Sequence, residues 1–68
     1  MTALRINGET AEIAASTVAE LLAARGIDPA TRFLAVAVNG AVVRRTEWPQ
    51  ATLAAGDEVE IVRPLQGG

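Results

Sequence analysis

Two Asn-Gly pairs, Asn7-Gly8 and Asn39-Gly40, constrain this chain more than any other feature of its sequence. Each stands between short β-prone runs. Leu4-Arg5-Ile6 precedes the first pair and Thr10 to Ile13 follows it; Phe33 to Val38 precedes the second and Ala41-Val42-Val43 follows it. A two-residue type I′ turn needs φ > 0 at both central positions, which Asn followed by Gly adopts at the least cost. The spacing predicts two β-hairpins. Their flanking residues do not match, so the duplication reads as reuse of one turn chemistry and not as an internal repeat.

The segment between the hairpins carries helix signals. Thr17-Val18-Ala19-Glu20 fits a capping box, in which the Thr17 hydroxyl accepts from the Glu20 amide and the Glu20 carboxylate reaches back to the Thr17 amide. A helix is expected from Val18. Val18, Leu21 and Leu22 then form an apolar stripe, and Arg25 falls one further turn along, near the negative end of the dipole. Gly26 offers a left-handed C′ position and Asp28-Pro29 forbids continuation.

After the second hairpin, Arg44 to Ala55 reads as a polar connection carrying Trp48-Pro49, and Gly56-Asp57 as a turn into a last strand, Glu58 to Arg63. Alternation points Val59 and Ile61 inward and Glu58, Glu60 and Val62 outward. The result is an α+β domain over residues 1–63, ββαββ plus a final strand, with the short tail Pro64-Leu65-Gln66-Gly67-Gly68 over residues 64–68. One helix covers one face of such a sheet and leaves the other open to solvent or to partners.

Composition bounds the chemistry. A chain of 68 residues is one small domain that removes about 60% of its unfolded surface from water. Half of its residues are apolar and its net charge is -2, which argues against nucleic-acid binding. No apolar run approaches the ~20 residues of a membrane span and the N-terminus lacks a signal-peptide pattern, so the cytoplasm is the expected compartment. The sequence contains no Cys and no His, which excludes Ser/His/Asp and Cys/His catalysis and the usual zinc sites. No phosphate-cradling loop is present, and no bound cofactor or metal is expected. All six basic residues are Arg, so Met1 supplies the only primary amine.

Four features remain. Glu58 and Glu60 read as solvated charges on an outward strand face. Trp48 reads as a lid over the core edge, its indole N–H reaching a carbonyl or water, with an interface anchor as the sharper alternative. Arg44-Arg45 reads as a polar loop that also suits partner contact. The Gly67-Gly68 ending has the mechanics of a delivery arm: five residues extend roughly 16 Å, and glycines without Cβ fit a confined site. The arm is expected to be mobile. Its terminal carboxylate, with a pKa of about 3.5, is a poor electrophile until an enzyme activates it.

Taken in order, Ile6-Asn7-Gly8-Glu9, Thr17-Val18-Ala19-Glu20-Leu21-Leu22, Ala37-Val38-Asn39-Gly40 with Val42-Val43, Arg45 and Trp48, and Gly56 to Val62 with Gly67-Gly68 resemble the small sulfur carrier of bacterial thiamine biosynthesis. The resemblance covers essentially the whole chain. It implies a ubiquitin-like β-grasp fold with a mixed sheet packed on one helix. It implies a protein co-substrate, not an enzyme: an E1-like adenylyltransferase consumes ATP to adenylate the Gly68 carboxyl. Sulfur from a cysteine desulfurase or related donor then makes a thiocarboxylate, which thiazole synthase uses. By this resemblance Leu65, Gln66 and Gly67 enter the partner's active site with Gly68, while Val62, Arg45 and Trp48 are candidates for the partner interface. A free monomer is expected. Some members of the family carry Pro where this chain has Arg44, which bears on loop shape only. Two alternatives share the fold and the ending: the small subunit of molybdopterin synthase, and a ubiquitin-like modifier of other proteins.

Overall fold

In the computed structural model, residues 1–63 are described; the expected arm over residues 64–68, and the mobility expected of it, lie outside the described residues. The elements are β1 (Thr2–Ile6), β2 (Glu9–Ile13), α1 (Val18–Ala24), β3 (Ala35–Val38), β4 (Ala41–Val43) and β5 (Glu58–Val62), with a single 3-10 turn at Arg45–Glu47. They form one five-stranded sheet in the order β2-β1-β5-β3-β4. The last strand thus sits at the centre, parallel to β1 and antiparallel to β3. This is the mixed sheet of a β-grasp fold.

Both hairpins form around the expected dipeptides. Ile6 pairs with Glu9 across the first turn and Val38 with Ala41 across the second. Asn7 and Gly8 have φ of 51° and 85°, Asn39 and Gly40 have 52° and 84°. All four values lie in the left-handed region that a type I′ turn requires.

Helix α1 starts where the capping signal places it, but the reciprocal bond differs from expectation. The Thr17 hydroxyl accepts from the Glu20 N–H at 3.2 Å, whereas the Glu20 carboxylate accepts from the Ser16 N–H at 2.7 Å and not from Thr17. Thr17 is held extended by an antiparallel bridge to Thr52, and in that backbone the amide within reach is that of Ser16. The other N-terminal donors are satisfied across the fold: Val18 N–H donates to the Ala51 carbonyl, Ala19 N–H to the Trp48 carbonyl and Leu21 N–H to the Thr17 carbonyl. No orphan donor is left at this end. At the other end Gly26 N–H donates to the Ala23 carbonyl and Ile27 N–H to the Leu22 carbonyl, the paired bonds of a Schellman motif with Gly26 at φ 72°.

Val18, Leu21 and Leu22 are fully buried against Leu4, Ile6, Val36, Val59 and Ile61 from one face of the sheet. Burying each such side chain stabilises the fold by about 1.5–3 kcal/mol, and Leu21→Ala costs about 2–5 kcal/mol. Trp48 closes the edge of this core.

Phe33 corrects the sequence reading of the third strand. The strand begins at Ala35, not at Phe33, and Phe33 is 76% exposed with φ 63°. A left-handed backbone at a bulky residue costs about 1–2 kcal/mol. It reverses the chain so that Leu34 enters the core while Phe33 projects outward. The polar connection also contains more structure than expected, namely the 3-10 turn and the Thr52 bridge to Thr17. Strand β5 ends at Val62, one residue before the expected Arg63.

Candidate functional site

The part of the chain that leads toward Gly68 is β5, and the fold grips this strand from both sides. Along β1, Arg5 N–H donates to the Asp57 carbonyl and Asn7 N–H to the Val59 carbonyl. The ladder then continues through a side chain: Asn7 Nδ2 donates to the Ile61 carbonyl at 3.2 Å, and Ile61 N–H donates to Asn7 Oδ1 at 2.8 Å. From the other side Asn39 N–H donates to the Glu58 carbonyl, and Glu58 N–H donates to Asn39 Oδ1 at 3.0 Å. Both turn asparagines therefore act twice, once as left-handed turn residues and once as surrogate strand backbone. Sequence reasoning assigned them the first role only; the signal for the second is an amide side chain where glycine would also have turned the chain.

Asn39 also donates from Nδ2 to Asp57 Oδ1 at 3.1 Å, and the Ala54 N–H donates to Asp57 Oδ2 at 2.8 Å. The Ala54 amide, with the Asn39 amide second, holds the Asp57 carboxyl below the usual carboxylate range. The turn into β5 is thus fixed by an ionised side chain.

On the face away from the helix, the outward residues of β5 are Glu58, Glu60 and Val62. Val62 is 59% exposed and pairs in register with Ala35; Glu60 pairs with Ala37, which pairs with Val42, itself 77% exposed. Val62, Ala35, Ala37 and Val42 thus make an apolar strip on one half of the open face. The other half is polar, with Arg5 Nε 3.8 Å from Glu58 Oε2, and with Thr10 and Glu12 beyond it on β2. An exposed ion pair of this length adds little stability.

The predicted site residues fall in three places. Val62 stands on the open face at the end of β5. Arg45 opens the 3-10 turn, where its Nη2 donates to the Thr31 carbonyl at 2.9 Å and its guanidinium lies 4.9 Å from the centre of the Trp48 ring. Trp48 is only 3% exposed and its Nε1 donates to the Val43 carbonyl at 2.9 Å, so its ring is the lid of the core and is not displayed as an anchor. Leu65, Gln66, Gly67 and Gly68 lie outside the described residues. Among the described residues no His, Cys, Asp or Glu cluster could hold a metal ion, and no helix is long and apolar enough to cross a membrane.

Comparison with known proteins agrees with this architecture. Residues 4–68 match the model of the ThiS family. The crystal structure of the thiamine biosynthesis protein ThiS from Geobacter metallireducens is similar with a TM-score of 0.79 and 30% identity, over 98% of this chain and 100% of that one. An NMR solution structure of a thiamine biosynthesis protein from Geobacter metallireducens gives a TM-score of 0.79 and 28% identity, over 98% of this chain and 88% of that one. A comparison with curated proteins found no match. With its sequence matched from the first strand onward and its fold shared, the chain belongs to the ThiS family, the small sulfur carriers that its motifs resemble.

Proposed function

We propose that this chain carries sulfur for thiazole formation in thiamine biosynthesis, as a thiocarboxylate on the C-terminal carboxyl of Gly68. The observation that carries the reading is the family match, which runs through residue 68 and so includes Gly67-Gly68. The chain is a co-substrate in this reading, and partner enzymes supply the reactive groups.

The chemistry follows from the terminal group. The ionised carboxylate resists attack, so an adenylyltransferase first joins it to AMP from ATP, releasing pyrophosphate. A cysteine desulfurase or related donor holds the sulfur as a persulfide; a thiol releases it as sulfide, forming a disulfide with the donor's cysteine, and the sulfide attacks the carbonyl carbon. The bond to AMP breaks, AMP leaves, and one carboxyl oxygen has been exchanged for sulfur. Thiazole synthase takes the sulfur from the thiocarboxylate. The central position of β5 supports this role, because a strand bonded on both sides gives the arm beyond Val62 a rigid root. In this reading Leu65, Gln66 and Gly67 thread the partner's channel, and the strip around Val62 packs on the partner's surface. The compartment is the cytoplasm, where ATP is supplied.

Intact-mass measurement tests the proposal directly. After incubation with the adenylating and sulfur-transfer enzymes and ATP, the chain gains the mass of one oxygen-to-sulfur exchange and reacts with an alkylating probe although it has no Cys. Deletion of Gly68, or addition of one residue after it, abolishes both signals. Absence of the mass gain in the parent, or its persistence in the extended chain, overturns the proposal. Restored growth of a deletion strain on the thiazole precursor separates thiamine synthesis from molybdopterin synthesis and from protein modification.

A further inference from the structure

The arginines of this acidic chain are not spread evenly. Ala35 pairs with Val62, the last residue of β5, and Val36 pairs with Val43, the last residue of β4. Continuing the two ladders by one residue brings Arg44 and Arg63 to the same end of the sheet. Arg32 precedes β3 at that end, and Arg45 is tied there by its bond to the Thr31 carbonyl. Four of the six arginines in the sequence, Arg32, Arg44, Arg45 and Arg63, therefore surround the point where β5 gives way to the C-terminal residues. All four are exposed. Among the described residues the one ion pair is Arg5 with Glu58, so none of the four has a carboxylate of the described residues within bridging distance.

Phe33 follows Arg32 at this end of the sheet. It is exposed, its backbone is left-handed, and its ring centre lies 5.5 Å from the Arg32 guanidinium. Fold stability does not account for an aromatic ring that buries little surface at a position whose left-handed backbone disfavours it; glycine would make the same reversal without strain. Strain that folding does not require points to use elsewhere.

We propose that Phe33 and these four arginines form a docking surface for the mouth of the adenylating enzyme's tail channel, on which an apolar socket takes the ring and an acidic rim meets the guanidinium groups. This rests on the carrier reading given above. Charge complementarity selects the acidic rim, and position selects a partner that draws in the residues after Arg63 and so must bring its channel mouth against this end; the adenylating enzyme is the first such partner to act in the carrier reading. The surface is separate from the apolar strip on the open face. It orients the carrier as the tail enters, and long-range attraction raises the encounter rate.

The test is the kinetics of adenylate formation, with the parent chain, Phe33→Gly, the double variant Arg32→Glu/Arg63→Glu, and Arg25→Glu as a charge-reversal control at an arginine outside the group of four. Phe33→Gly keeps the backbone conformation, so thermal unfolding shows it folded. For Phe33→Gly and the double variant the KM for the carrier rises about tenfold or more with kcat little changed, while Arg25→Glu leaves both unchanged. Raising the salt concentration increases the parent KM and narrows its difference from the double variant. If the parent is adenylated and both variants keep its KM, or lose kcat at constant KM, the docking surface is overturned and the carrier reading stands. If the parent self-associates and Phe33→Gly abolishes this, the surface joins copies of the chain and the proposal is wrong. If the parent is not adenylated, the carrier reading falls and this inference with it.

Discussion

The two Asn-Gly turns share a dipeptide and a backbone conformation, yet they hold the central strand differently. Asn7 bonds both backbone groups of Ile61 across 54 positions of sequence, in a partly buried setting. Asn39 bonds the Glu58 N–H and the Asp57 carboxylate in an exposed setting at the start of the same strand. One turn secures the end of β5 from which the tail departs, and the other secures its beginning. Local sequence sets the conformation of such a turn, while the element placed beside it sets what the asparagine side chain is worth.

The largest expected effect breaks this comparison at the asparagines themselves. Asn7→Gly keeps the turn geometry but leaves the N–H and C=O of Ile61 without their partner, where water has limited access. We expect a loss of about 2–3 kcal/mol, a fall in thermal midpoint on the order of 10 °C or more. Asn39→Gly exposes its partners to water and costs about 1 kcal/mol. The added freedom of glycine in the unfolded chain is common to both and cancels in the difference. Denaturant unfolding measures the two values. Equal losses would show that burial of the Ile61 contact does not matter, and faster amide exchange at Ile61 in Asn7→Gly alone would locate the defect.

The second test uses the glycines, where the turns should behave alike. Gly8 and Gly40 have nearly the same φ, and a Cβ at either meets nothing within 4 Å. Alanine at each therefore suffers only the left-handed backbone cost, about 1–2 kcal/mol, and the two losses should agree within error. A marked difference would mean that the turns are not conformationally equivalent, and the asparagine comparison would lose its control.

Much of the fold was legible in the sequence because its signals are local. Asn-Gly set both hairpins, Thr17 and Gly26 bounded the helix, and alternation in β5 sorted Val59 and Ile61 from Glu58, Glu60 and Val62. What escaped was decided by contacts distant in sequence. The Glu20 carboxylate closes on Ser16 because Thr17 bridges to Thr52. Trp48 lies under the Arg45 guanidinium and bonds Val43, so the lid reading holds over the anchor reading. Phe33 looked like strand because its hydrophobicity and β propensity say so; its φ of 63° comes from the need to bring the chain out of the helix and into the sheet. The placement of β5 between β1 and β3, which gives the candidate site its rigid root, appears in no local pattern.

The smallest expected effect sharpens the comparison through pH. The Ala54 amide and, second, the Asn39 amide stabilise the ionised Asp57 carboxylate, so its pKa in the folded chain lies below that in the unfolded chain. The sign follows from linkage: the contribution is present above the ordinary carboxylate range near pH ~4 and is lost as pH falls through the depressed folded value. Asp57→Asn should therefore lower the thermal midpoint slightly at neutral pH, and the gap from the parent should close in acid. In an Asn39→Gly background the pH-dependent gap shrinks but persists, because the Ala54 N–H still donates to the carboxylate. In an Asn7→Gly background it keeps its full size, because Asn7 bonds Ile61 and not Asp57. Only one of the two turns is thus coupled to a titrating group. A gap that stays constant through the acid range, or that shrinks equally in both backgrounds, would show that Asp57 does not distinguish them.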